Sequence, residues 1–488
     1  MINISNKKHW LVEQAEKHPS KTALRDGEKT LLYSQLLTYS ISAAFKFKSI
    51  GINGGDHVSI VSKNIIDFVI SINGLWLLGA VPIPLNIRLK NDEIEKLVIH
   101  SKSKMLLNIN DILDTTKFKF ENIHTVTFND FTSSYLDLPK ENFSLNKIAL
   151  MMYSSGSTGI PKCVQLTFNN LFESVKSLES LIDVNNNDVW LASLPFYHIG
   201  GFSMIIRSLI LGHAVALPKS ISGKELIKSF IEYKPTYFSI VPTMLKKILD
   251  EKVSSWEGLK NIFIGGGPLN TEDVTEAMKI GFPLVGVYGS TETAAMVTAV
   301  TEKNIFERNG CAGKPLPGNR IKIIDNIGII LPNMKVGEIV IHSKCIAKSY
   351  FNYDDENGSK LSNQNFYSND LGYLDEEGYL YLKGRKDDMI ISGGENINLN
   401  EIENYVKTLS DVLDCSAIKV NDEKWGEGYI LLIKVNGENK ELEESTRIQL
   451  EKNIANFKQP RAIHFIDKLY RNNLGKIEKY KHLEELKV

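Results

Sequence analysis

The stretch Tyr153-Ser154-Ser155-Gly156-Ser157-Thr158-Gly159-Ile160-Pro161-Lys162 constrains this chain more than any other. Two glycines, a proline and a run of hydroxyls interrupt any regular element, so the stretch must be a loop. An apolar run at residues 148–152 precedes it and an alternating run at 163–167 follows. Both read as strands, which makes the loop the connection of a hairpin. Gly156 and Gly159 let backbone N–H groups turn toward a ligand. The hydroxyls of Ser154, Ser155, Ser157 and Thr158 add donors, and Lys162 adds a positive charge. Phosphate oxygens accept from this set of groups. A solvated Gly/Ser turn has the same composition. A Walker A loop does not fit, because that motif needs Ser or Thr directly after its lysine and a helix beyond it. Here Cys163 follows Lys162. A P-loop phosphotransferase therefore predicts a helix after Lys162, and a strand there removes that alternative.

At 488 residues, 43% hydrophobic and 24% charged, the chain has room for two or three globular domains. A net charge of −1 offers no basic field, so no nucleic-acid partner is expected. Cys163, Cys311, Cys345 and Cys415 are far apart and show no ligand-like CxxC pattern, which predicts free thiols and a cytoplasmic protein. The N-terminus lacks the apolar segment of a signal peptide. The most apolar long stretch, residues 68–85, is broken by Asn73, Gly74, Gly79, Pro82 and Pro84. It predicts a buried helix running into a strand, and no membrane insertion.

Helix and strand patterns alternate through the first three hundred or so residues, which predicts an α/β fold of layered mixed sheets with helices. A helix at 10–17 is followed by a hairpin around Asp26-Gly27. Ser34 is placed to cap a helix ending near Gly51. A strand at 189–194 ends in Pro195-Phe196-Tyr197-His198, and a helix at 201–211 follows. His198 thus sits at a strand-to-helix turn, where α/β sheets present ligand groups, although a lone histidine is also a common structural residue. A strand at 261–264 ends in Gly265-Gly266-Gly267-Pro268, which admits a flat ligand close to the backbone or simply makes a tight turn. Residues 284–287 lead into Tyr288-Gly289-Ser290-Thr291-Glu292-Thr293. Glu292 among hydroxyls suits Mg²⁺ carrying phosphates; capping is the plainer role for the same residues. From about Gly313 the pattern becomes β-rich, with Asp370 expected in a loop. The charged run Gly384-Arg385-Lys386-Asp387-Asp388 suits a hinge or linker. The last hundred or so residues read as a separate α+β unit, with Asn400 and Glu403 as a capping pair and a polar loop from Arg471 to Lys476.

In this order, these stretches resemble the adenylate-forming superfamily of acyl-CoA synthetases, luciferases and peptide-synthetase adenylation domains. The loop from Ser154 to Lys162 is similar to their phosphate loop, Gly265 to Pro268 to their adenine-side turn, and Tyr288 to Thr293 to their YGxTE motif. Asp370, Arg385 and Lys476 resemble the ribose aspartate, the hinge-proximal arginine and the C-terminal catalytic lysine. Gly286 departs from the pattern, standing where Asn or Gln is common.

The resemblance implies a two-step reaction in which a carboxylate attacks the α-phosphate of ATP and a thiol then displaces AMP. ATP, Mg²⁺ and coenzyme A are the implied cofactor and cosubstrates, with a small carboxylic acid as the other substrate. It assigns Lys476, Glu292, Thr158 and Lys162 to catalysis, with Glu292 on the metal. Ser154, Ser155, Gly156, Ser157, Thr158, Gly159, Lys162, Gly265, Gly266, Gly267, Pro268, Tyr288, Gly289, Thr291, Asp370 and Arg385 are assigned to ATP. It also implies an N-terminal domain over 1–386, β-rich from about 313. A small mobile C-terminal domain over 387–488 would then turn about Asp387, and Gly394 would line the CoA channel. The chain ends soon after Lys476, so free coenzyme A is the expected acceptor.

His198, Arg207, Gly289 and Ala294 are the expected acyl-side residues. The stretch from Leu194 to Ser208 resembles the same stretch in o-succinylbenzoate–CoA ligases of menaquinone synthesis. Arg207 is a cation among Phe202, Ile205, Ile206 and Leu209, an unusual setting. Either it pairs with a second carboxylate on a dicarboxylic substrate, or it snorkels to the surface. An aryl or medium-chain monocarboxylate would not need that charge. A homologue that kept the fold and lost the chemistry is the reading from a different class.

Overall fold

The computed structural model describes residues 8–27, 29–132, 143–154, 162–185, 187–221, 223–267, 269–308, 310–352, 360–392, 395–410, 412–422, 426–435, 440–455, 458–471 and 477–486. It falls into two compact units, one of Met1–Ile321 with Ile341–Tyr367 and one of Lys322–Val340 with Ser368–Val488.

In the first unit, the long sheet runs in the order Cys311–Pro315, Ala295–Thr301, Leu284–Ser290, Asn261–Ile264, Tyr237–Ile240, Val189–Leu191, Ala214–Ala216, Thr22–Asp26, Lys29–Leu32. The six strands from Leu284–Ser290 to Thr22–Asp26 are parallel, and antiparallel strands finish both ends. Helices such as Gly223–Tyr233 and Pro242–Asp250 connect the parallel strands and bury Phe230, Leu245 and Ile248 against Phe238 and Ile262. A second, all-parallel sheet holds Val81–Pro84, His57–Val61, Met105–Ile109 and Ile123–Val126. The helix Ile66–Leu78 is buried at every residue, which is why its sequence is apolar all round. Its Trp76 indole donates to the carbonyl of Ala149, at 2.6 Å. Among the described residues no helix is long and apolar enough to cross a membrane.

A third sheet pairs Ile148–Ser154 with Lys162–Thr167, and Ser349–Phe351 joins the latter's other edge. A strand therefore follows Lys162, which excludes the Walker A alternative. Ser34 does not cap its helix. Tyr33–Ser49 begins one residue earlier, where the Gln35 side chain accepts from the Leu32 N–H, and the Ser34 hydroxyl donates to the carbonyl of Pro19.

In the second unit, Asp370 lies within the strand Asn365–Leu374 and not in a loop. That strand pairs with Leu380–Arg385 across the turn at 375–378, where the Asp375 carboxylate accepts from the N–H groups of Glu377 and Tyr379. The hairpin Met389–Ser392 with Glu395–Asn398 joins Gly426–Val435, which pairs with Val412–Asp422 and with Ala462–Ile466. Leu399, Ile402 and Val406 of the helix Leu399–Val406 pack on Cys415, Leu431 and Ile433. The cap of this helix is Asn398, whose side chain accepts from Asn400 N–H; Glu403 instead accepts from Ala417 N–H and the Ser416 hydroxyl.

Candidate active site

Because the six central strands run parallel, their carboxyl ends lie along one edge, where open α/β sheets place ligands. Val189–Leu191 leads to the loop that carries His198, Asn261–Ile264 leads to Gly265, and Leu284–Ser290 leads to Glu292. The turn after Asn261–Ile264 is narrow. A Cβ on Gly265 would lie 2.8 Å from the carbonyl oxygen of Val287, and Gly266 has φ +81°. The pairing of Leu284–Ser290 with Ala295–Thr301 slips between Tyr288 and Gly289, and this bulge re-aims the residues that follow. A Cβ on Gly289 would fall 1.8 Å from the carbonyl oxygen of Ala295. Gly286 is confined less severely, a Cβ there lying 2.8 Å from Val300 Cγ1.

The turn beyond Ser290 stores backbone strain. Ala294 has φ +52° and Ala295 φ +109°, which non-glycine residues rarely adopt. Thr293 holds the turn: its fully buried hydroxyl accepts from Ser290 N–H at 2.8 Å and donates to Ala295 carbonyl at 2.6 Å. The Ser174 hydroxyl donates to Ala294 carbonyl from the neighbouring helix. Thr293 is thus spent on the turn, and Glu292 is the residue presented. Its buried carboxylate accepts on Oε1 from the Ser154 hydroxyl (3.3 Å) and from the Tyr350 hydroxyl (3.1 Å). Ser154 and Lys162 face each other across the hairpin, and Lys162 Nζ stands 5.0 Å above the Tyr350 ring. Tyr350 therefore ties the carboxylate and the lysine together. Sequence reasoning missed it: it belongs to the three-residue strand Ser349–Phe351, too short to carry a periodicity.

In the second unit, Asp370 and Arg385 are register partners, and Arg385 Nη1 donates to Asp370 Oδ1 at 2.9 Å. Asp387 falls in the 3-10 turn Lys386–Asp388. Ser155, Gly156, Ser157, Thr158, Gly159, Pro268, Gly394 and Lys476 lie outside the described residues.

On the acyl side, His198 is the N-cap residue of the helix Ile199–Leu211, and its ring packs edge-on against Tyr197. Arg207 lies nine residues further along, about 13 Å down the helix axis. It is 3% exposed and does not reach the surface. Its guanidinium stacks on Trp190 at 4.7 Å, and Nη1 has no hydrogen-bond partner. Among the described residues it makes no ion pair. Burial pushes its pKa down to about 9, which leaves it cationic at neutral pH. Nearby His213 is neutral there, pushed down to about 4 mainly by burial, with the Arg207 charge adding to the effect.

Residues 11–351 match the AMP-binding enzyme family, and residues 401–476 match the AMP-binding enzyme C-terminal domain. The chain is a member of the AMP-binding enzyme family. It is 30% identical over 478 residues to a 2-succinylbenzoate–CoA ligase of Oceanobacillus iheyensis, covering 97% of this chain and 98% of that protein. It is 31% identical over 482 residues to the ligase of that name from Bacillus subtilis, with 97% of each covered. The B. subtilis o-succinylbenzoate CoA synthetase in complex with the acyl-adenylate OSB-AMP superposes with a TM-score of 0.87 at 29% identity, covering 98% of both chains. The same enzyme with ATP and magnesium gives a TM-score of 0.86 at 29% identity, over 97% of this chain and 98% of that one.

Residues of this chain fit the ATP and magnesium of that B. subtilis complex. Both hydroxyl donors to Glu292 fall on Oε1, which leaves Oε2 for a cation. Among the described residues no group of three or more His, Cys, Asp or Glu side chains is placed to hold a metal. A lone carboxylate suits Mg²⁺, which keeps phosphate and water oxygens as its other ligands.

Proposed function

We propose that the protein joins o-succinylbenzoate to coenzyme A, and that the residues assigned from sequence act as follows. The substrate carboxylate attacks the α-phosphorus of ATP, an acyl-adenylate forms and pyrophosphate leaves. The thiol of coenzyme A then attacks the acyl carbonyl and AMP leaves. Negative charge builds on the α-phosphate in the first step. Lys162, Ser154 and the loop hydroxyls, including Thr158, would offset it, with Thr291 and Lys476 as further donors. Mg²⁺ held by Glu292 would supply Lewis-acid neutralisation of the phosphate oxygens. Gly265, Gly266, Gly267, Pro268, Tyr288 and Gly289 bound the adenine, and Asp370 accepts from ribose hydroxyls while Arg385 fixes its other oxygen. His198, Gly289 and Ala294 surround the reacting carboxylate. Asp387 acts as the hinge and Gly394 leaves room for the pantetheine arm. The division at Asp387 is part of this proposal, as is a cytoplasmic location, which accords with four free cysteines.

The observation that carries the choice of acid is Arg207. A fully buried cation without an acidic partner costs stability, and a substrate with a second carboxylate supplies the missing partner. Relatives named for 2-succinylbenzoate support the same choice. The test is pyrophosphate release with ATP, Mg²⁺ and coenzyme A across o-succinylbenzoate, benzoates, coumarate and fatty acids. Preference for o-succinylbenzoate is expected. Preference for an aryl or medium-chain monocarboxylate would remove the role given to Arg207. Release with none of the acids would mark an inactive homologue.

A further inference from the structure

The loop that delivers His198 does not hold itself in place. Between the strand Val189–Leu191 and the helix Ile199–Leu211, residues 192–198 pass through Pro195 and make few bonds of their own. His198 N–H donates to the Pro195 carbonyl at 3.1 Å, and a Cβ on Gly201 would lie 2.1 Å from that same oxygen, so loop and first helical turn are pressed together. The start of the loop is tied to neighbouring strands, where Ala192 N–H donates to the Ala216 carbonyl and the Ser193 hydroxyl to the Ser239 carbonyl, and from across the molecule the loop is held by Asn64, which follows the strand His57–Val61 of the other parallel sheet. Asn64 is 8% exposed. Its amide N–H groups donate to the carbonyls of Ala192 (3.2 Å) and Leu194 (2.7 Å), and its oxygen accepts from Phe196 N–H at 2.9 Å. Phe68, on the helix just after Asn64, stacks on Phe196 with ring centres 5.3 Å apart. One buried side chain therefore satisfies three alternate backbone groups of a segment that ends at His198.

We propose that Asn64 is a positioning residue for the acyl side of the site: by fixing residues 192–196 it sets where His198 meets the substrate carboxylate. The proposal rests on the acyl-side placement of His198 and adds a residue that acts through the loop. Only a primary amide, as in Asn or Gln, can donate to two carbonyls and also accept from the Phe196 N–H. Asn64→Ala leaves those groups unpaired in a buried place, so the loop shifts. A shift of about an ångström at a reacting group is enough to cost up to roughly a hundredfold in rate.

The test measures adenylation by Asn64→Ala and Asn64→Asp, with KM for acid and for ATP determined separately and active sites counted by a single-turnover burst. At least about a tenfold rise in KM for the acid, or an equal fall in kcat per active site, is expected, with KM for ATP within about twofold. In Asn64→Asp the introduced carboxylate faces two carbonyls. Protonation restores one donor, so its kcat/KM for the acid relative to wild type rises as pH falls from about 8 to about 6. A variant that only loses stability changes the number of active sites and neither of these readouts. Unchanged acid KM and kcat per site, or a flat pH ratio, overturns the proposal. If the alanine variant does not fold, the aspartate pH ratio decides. Wild-type enzyme assayed on o-succinylbenzoate in parallel tests the substrate reading separately. If another acid of the panel is preferred, the same measurements on that acid decide the role of Asn64.

Discussion

Arg207 sets function against stability at a single residue. Its folded pKa lies below the ordinary arginine value, so the charged form is what the fold disfavours. The penalty is complete at pH values below about 9 and fades as pH rises toward the unfolded value. Arg207→Met removes the buried charge, keeps an apolar body on Trp190 and leaves no carbonyl or carboxylate unpaired. We expect the melting temperature at pH 7 to hold or to rise by the equivalent of about 1–2 kcal/mol, with less gain above pH 9. The same variant should raise KM for o-succinylbenzoate at least about tenfold and leave benzoate turnover nearly unchanged. Thermal melts and the acid panel check both halves, and equal effects on both acids would make Arg207 structural. Tyr350 gives a second prediction at this scale. Tyr350→Phe keeps the ring under Lys162 and deletes the donor to Glu292. The Mg²⁺ concentration for half-saturation should rise about three- to tenfold with KM for the acid unchanged. Direct Mn²⁺ binding in the presence of ATP, followed by electron paramagnetic resonance, is the independent readout.

At the scale of elements, the site is built from strand ends and their turns. The sheet pattern was legible because alternation and short apolar runs carry it: the strand after Lys162, the strand before Gly265 and the helix from Trp10 to Lys17 all stand where the pattern put them. Asp370 was misread because Ser368-Asn369-Asp370 has turn-forming composition, whereas Asp370 itself and the residues from Leu371 to Leu374 pair with Leu380–Arg385, which draws it into the ladder. The Ser34 cap failed because the Pro19 carbonyl captured its hydroxyl, a partner set by the preceding hairpin. The bulge at Gly289 opens the turn that carries Glu292. Gly289→Ala brings a Cβ against the carbonyl oxygen of Ala295, which is backbone and has nowhere to go. We expect a loss of about 3 kcal/mol in chemical denaturation together with loss of ATP-dependent pyrophosphate release. Wild-type stability in this variant would show that the turn relaxes freely.

At the scale of the molecule, Glu292, Lys162 and Ser154 belong to one compact unit and Asp370 and Arg385 to the other. If Lys476 serves adenylation alone, Lys476→Ala should abolish pyrophosphate release and leave conversion of supplied acyl-adenylate to thioester within about tenfold of wild type. Rapid-quench measurement of each half-reaction checks this, and loss of both would contradict the assigned role. The sequence by itself determined the family and the α/β class, and it is the source of the proposed phosphate-side groups. Those depend on local composition: glycines where the backbone must turn, hydroxyls and lysine where charge must be met, and alternation where a strand must bury one face. Only the tertiary structure decided that Arg207 is buried on Trp190 with no ion pair among the described residues, that Tyr350 joins Lys162 to Glu292, and that Asn64 holds the loop before His198. Each of these is a contact between residues far apart in the chain. Its energy comes from desolvation and hydrogen-bond geometry at a place that exists only once the sheets have formed, and so it leaves no periodic trace in the order of residues.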